Sequence, residues 1–75
     1  VVLTLHVIKT DDGFDAIVPS LNGCDTWAAK EDEAIEKILE LLKYYIKLPN
    51  DKKLIIDKAA QKGNKAIYKI LFEKP

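Results

Sequence analysis

The chain is 75 residues long, with 12 Lys against 12 Asp and Glu, no Arg, and a formal charge of zero at pH 7. That length allows one domain, residues 1–75, with a thin core that buries about 60–65 % of the unfolded surface. Zero charge and the lack of Arg argue against DNA binding by this chain alone, since nucleic-acid binders carry a basic excess and grip phosphates and guanine edges with Arg.

Val1 to Lys9 alternates, with Val1, Leu3, Leu5 and Val7 on one face and Val2, Thr4, His6 and Ile8 on the other, which predicts a strand. Thr10 to Gly13 reverses the chain, with Asp12-Gly13 as a tight turn in which Gly takes positive φ. A second strand carries Phe14, Ala16 and Val18 on one face, opposite Asp15 and Ile17. Pro19 has no amide hydrogen and suits a strand end, and Asn22-Gly23 turns the chain again. A short third strand is predicted over Cys24 to Trp27.

Lys30 to Ile46 is a helix by period: Ala34, Ile35, Ile38, Leu41, Leu42, Tyr45 and Ile46 recur at steps of three and four. Glu31, Asp32 and Glu33 complement the helix dipole at its start, and Pro49 stops it. Asn50 or Asp51 is expected to cap a second helix from Lys52 to about Lys62, closed by Gly63-Asn64, with Leu54, Ile55 and Ala59 as its apolar face. Lys65 to Glu73 alternates again, with Ala66, Tyr68, Ile70 and Phe72 on one face, and predicts a fourth strand. The rival reading makes residues 52–73 a helix–turn–helix. The resulting expectation is an α+β fold, β-β-β-α-(α)-β. It would have one mostly antiparallel four-stranded sheet, helices on one face, and a last strand able to lie parallel to the first after a right-handed crossover.

His6 and Cys24 are the only soft metal-ligand types, too few for a zinc site, so neither metal nor cofactor is expected. Cys24 reads as a small packing residue rather than a nucleophile, and being alone it cannot form an intrachain disulfide. Asp11, Asp12, Asp15, Asp25 and Glu31 to Glu33 sit in turns, on the outer sheet face or at the helix start. They do not converge as metal-dependent nuclease chemistry requires, so the chain is not expected to be an enzyme. Lys52, Lys53, Lys58, Lys62 and Lys65 read as a solvated helix face.

The outer sheet face is more informative. Val2, Ile8, Ile17, Ile67 and Leu71 should point away from the helices, beside Thr4, His6, Asp15 and Lys69, where a solvent-facing sheet is normally more polar. With Trp27 as an aromatic anchor, the expected partner-binding set is Val2, Ile8, Asp15, Ile17, Trp27, Ile67 and Leu71. A homo-oligomer is one expected consequence. The alternative for Trp27 is a lid over the helix start.

The order Asp12-Gly13, Phe14, Ala16, Val18-Pro19, Leu21, Gly23-Cys24, Thr26 and Glu33-Ala34 resembles the HicB family of antitoxins. The matching stretch covers roughly half the chain. Asn22 stands where the family usually has Pro, and Lys30 where it usually has a Ser or Thr helix cap. The resemblance implies a truncated ribonuclease H-like fold and a non-catalytic module that binds and neutralises a small basic RNA-cleaving toxin. The family often adds a DNA-binding segment, which residues 1–75 supply only in the helix–turn–helix reading. The alternatives are a stand-alone oligomeric domain of the same fold without a toxin partner and, less favoured, a minimal metal-dependent nuclease.

No apolar run approaches the ~20 residues of a membrane helix, and no signal peptide is evident, so a cytoplasmic setting without membrane contact is expected. The chain has no Met even at position 1, so either its start is processed or further residues precede Val1.

Overall fold

A computed structural model describes residues 2–48 and 54–72. Among these residues, five strands and one helix follow in the order β1 (Val2–Lys9), β2 (Phe14–Ile17), β3 (Asp25–Ala28), α1 (Glu31–Ile46), β4 (Ile55–Lys62) and β5 (Lys65–Leu71). They form one α+β domain with a single sheet of order β3-β2-β1-β5-β4, antiparallel at every pairing.

The first four elements lie where the alternation and the helical period put them. In α1, Ala34, Ile38 and Leu42 recur every four residues and are fully buried. They pack the helix against β1, β2 and β3. Tyr45, expected on that face, is 41 % exposed. The helix starts at an extended Lys30 without a side-chain cap bond. Glu31, Asp32 and Glu33 supply the favourable charge there instead. At the other end Lys47 takes the left-handed conformation at φ 55°, and the Leu48 amide donates back to the Lys43 carbonyl at 3.0 Å.

The inner face of the sheet completes the core. Leu5 opposes Tyr68, Leu3 opposes Ile70 and Val7 opposes Ala66 across the β1–β5 pair. Leu5, Val7, Ala16, Val18, Cys24, Ala28 and Ile70 are almost wholly shielded. Tyr68 reaches the helix start and donates from Oη to Glu31 Oε1 at 3.3 Å.

Residues 55–62 correct the sequence reading. They form β4, not a second helix, and the sheet has five strands, not four. Both halves of the helix–turn–helix rival are therefore strands. A helix here would bury only Leu54, Ile55 and Ala59. As a strand, the segment pairs along the whole of β5 and sets Ile56 against Ile70 at the margin of the core. Lys58, Ala59, Ala60 and Gln61 favour a helix locally, but tertiary pairing overrides that preference. A β-bulge between Lys58 and Ala60 absorbs one residue. Gly63-Asn64 is a two-residue hairpin loop rather than a helix cap. Gly63 at φ 56° fills the first central position, where a type II′ turn needs glycine.

The last strand also differs in direction. β5 runs antiparallel to β1, because β4 interposes before the chain returns to the sheet; the expected parallel crossover is absent. The Asn50–Asp51 cap lies outside the described residues.

Gly13 is a further correction. Its φ is not positive; Gly23 at 81° and Gly63 at 56° are the glycines that are. Space, not conformation, demands glycine at 13. A Cβ would collide with the Ala28 carbonyl oxygen and come within 2.5 Å of Trp27 Cζ2. The turn is instead closed by Thr10, whose amide donates to the Gly13 carbonyl at 2.8 Å and whose Oγ1 accepts from the Gly13 amide at 3.1 Å.

Candidate protein-binding surface

The register places all seven sequence-predicted residues on the sheet face opposite α1. Side chains alternate along each strand, so residues opposed across strands share a face. Trp27 opposes Asp15, Asp15 opposes Ile8, and Ile8 opposes Lys65. The next row runs Asp25, Ile17, His6, Ile67 and Ala60. Thr4, Lys69 and Asp57 make a third row, and Val2, Leu71 and Ile55 a fourth. Trp27 thus lies away from the helix, and the lid reading is set aside; its neighbour Ala28 is the residue that turns inward and is buried.

Ile8, Ile17, Ile67 and Leu71 are half-buried by their strand neighbours, while Val2 and Ile55 are each 57 % exposed and Trp27 is 44 % exposed. The Trp27 ring lies close beside Gly13, where an added Cβ would meet its Cζ2 and Cε2 atoms. Lys69 Nζ donates to Thr4 Oγ1 at 2.9 Å, which leans its stem over the sheet. β2 ends at Ile17, and past that point the sheet beside β1 gives way to an open groove of about 410 Å³ walled by Val2, Thr4, His6, Pro19 and Ser20.

Charge on this face is divided. Asp15 and Asp25 lie on β2 and β3, while Lys62, Lys65 and Lys69 lie on β4 and β5, with Asp57 beside Lys69. His6 sits between the two halves. Its pKa is lowered below 6.5, first by desolvation and then by the cations of Lys65 and Lys69.

Ile55 belongs to this surface and was missed because residues 52–62 read as helical. The alternation Ile55, Asp57 against Leu71, Lys69 across a Gly63-Asn64 turn is the signal that identifies it.

The other candidate groups do not join the patch. Cys24 is buried, and desolvation followed by Asp25 pushes its thiol pKa up, which suppresses the thiolate. Asp11 and Asp12 stay in the β1–β2 turn, where Asp12 Oδ1 accepts from Thr10 Oγ1 at 3.1 Å. Glu31 to Glu33 lie at the helix start, on the opposite side of the sheet. Among the described residues, no group of three or more His, Cys, Asp or Glu side chains is placed to hold a metal ion. A second cleft of about 240 Å³ lies on the helix side, between Lys9, Phe14, Glu31 and the β4–β5 turn. Among the described residues, no helix is long and apolar enough to cross a membrane.

Comparison with known proteins finds no matching family model, no matching curated protein and no matching solved structure.

Proposed function

We propose that this chain is a non-catalytic protein-binding module whose working surface is the outer face of the sheet. The observation that supports this reading is the set of apolar side chains that share that face, Val2, Ile8, Ile17, Trp27, Ile67 and Leu71 with Ile55 as an extension, interleaved with Thr4, His6, Asp15 and Lys69. α1 packs on the other side of the sheet, so these side chains gain little by facing water, and apolar patches rimmed by charge mark association surfaces.

The partner is read from the resemblance to HicB antitoxins: a small basic RNA-cleaving toxin, met in the cytoplasm and held without chemistry by this chain. Asp15 and Asp25 on the patch, with Asp11 and Asp12 at its rim, would steer a basic partner toward the β2–β3 end. The acids are split between two sides of the sheet, which supports a binding role over nuclease chemistry.

Co-expression with the adjacent reading frame tests this. A short basic product should co-purify with the chain and lose its growth inhibition, and Ile17→Lys and Trp27→Ala should each abolish both effects. If no such product co-purifies, or both variants bind as well as the parent, the antitoxin reading fails and the stand-alone oligomeric domain takes its place.

A further inference from the structure

The outer face is complementary to itself, and we infer that a second copy of this chain occupies it, face to face, about a two-fold axis running along β1. This rests on the reading of the outer face as a protein-binding surface and adds the occupant it has when no other partner is present.

The charge layout selects the axis. Asp15 and Asp25 lie on one side of β1 and Lys62, Lys65 and Lys69 on the other, where Asp57 offsets one of the three lysines. A two-fold parallel to the strands exchanges the sides, so β2 of one copy covers β5 of the other and β3 covers β4. Asp15 then faces Lys65 of the second copy, Ile17 faces its Ile67, and Trp27 meets its Lys62, a cation over an indole face. A two-fold running across the strands would instead stack acids on acids and lysines on lysines, which opposes association.

Shape agrees with charge. The groove beside β1, walled by Pro19, Ser20 and Thr4, lies where β2 has ended. The same axis brings Leu71 and Lys69 of the second copy, which stand on the other side of β1, over that groove. Two sheets packed at about 10 Å with strands aligned within about 30° accommodate this arrangement.

Size sets the expected strength. Strands of 8, 4, 4, 8 and 7 residues, about 4.8 Å apart, give a face roughly 24 Å wide that is about 25 Å long at β1, β4 and β5 but only about 13 Å long at β2 and β3. That is close to the lower limit for a specific interface, so a reversible dimer is expected rather than an obligate one. A toxin-like partner using the same face would displace the second copy.

Sedimentation of the full chain at concentrations from about 5 to 500 µM spans the affinities usual for so small an interface. The wild-type chain should pass from monomer to dimer, and added salt should weaken the dimer. Asp15→Lys and Lys65→Asp should each weaken it about tenfold or more, and the double variant should recover most of the loss. Far-UV circular dichroism of each variant checks that the fold is kept. A wild-type chain that stays monomeric overturns the inference. So does a dimer indifferent to both single variants, or a double variant no better than either. A monomer that still co-purifies with a toxin leaves the functional reading standing, and a dimer that binds no toxin leaves the inference standing.

Discussion

Gly13→Ala isolates a contact that only the packed structure creates. The new Cβ would overlap the Ala28 carbonyl oxygen and lie 2.5 Å from Trp27 Cζ2 and 2.8 Å from Cε2. The indole is partly exposed and can swing aside, but the Ala28 carbonyl is backbone and belongs to the strand that pairs with Phe14. Relief therefore requires β2 and β3 to separate locally. Overpacking of this kind costs about 1–3 kcal/mol, offset by up to ~1 kcal/mol from the stiffer unfolded chain. A net loss of about 1–2 kcal/mol lowers the melting temperature by roughly 4–16 °C for a domain of this size. Gly63→Ala is the matched control: nothing lies within 4 Å of the added Cβ, so only the φ of 56° resists it. Thermal melts followed by circular dichroism compare the two, and Trp27 fluorescence should shift in Gly13→Ala alone. A Gly13→Ala variant that melts within about 2 °C of the parent with unchanged fluorescence would refute the packing argument.

Ala34→Asp should unfold the domain, because Ala34 is fully buried against the sheet and an unpaired carboxylate there costs several kcal/mol against a total on the order of 5; a melt close to the parent's would contradict it. Lys47→Gly should raise the melting temperature by about 5 °C, since a lysine at φ 55° carries strain that glycine lacks; no gain would mean the strain is absent. Acidification below about 6.5 should lower stability through His6: its folded pKa lies under 6.5, so the unfolded chain binds the proton first and stability rises with pH across that window. His6→Gln should flatten this part of the pH–stability curve, and an unaltered curve would assign the effect elsewhere. Ellman's reagent should react with Cys24 only as the protein unfolds, because the thiol is buried and its pKa raised; fast labelling of the native chain would contradict the burial.

Alternation and period were sufficient for β1, β2, β3, α1 and β5, because each carries its own pattern within one segment. Leu3, Leu5 and Val7 repeat every second residue, and Ala34, Ile38 and Leu42 every fourth, so the buried side of each element can be read before anything is packed. The same parity put Val2, Ile8, Asp15, Ile17, Ile67 and Leu71 on one face, since a strand has two faces and the core claims one, whereas Trp27 was placed there only by its pairing with Asp15.

Residues 55–62 show where that reasoning stops. Leu54-Ile55-Ile56 followed by Asp57-Lys58-Ala59-Ala60 has no clean period of either kind, and its local preference leans to helix. Pairing with β5 decided it, through hydrogen bonds and contacts that exist only between segments. The antiparallel sense of β5, the membership of Ile55 in the outer patch and the place of Lys62 and Asp57 on that face all follow from that pairing. The need for glycine at 13 has the same origin, because it depends on Ala28 and Trp27 on another strand. The sequence by itself determined which side of each regular element is apolar, since that is a property of spacing along the chain. The tertiary structure alone decided which strands are neighbours and what lies opposite each side chain, since cross-strand pairing is a property of distance in space.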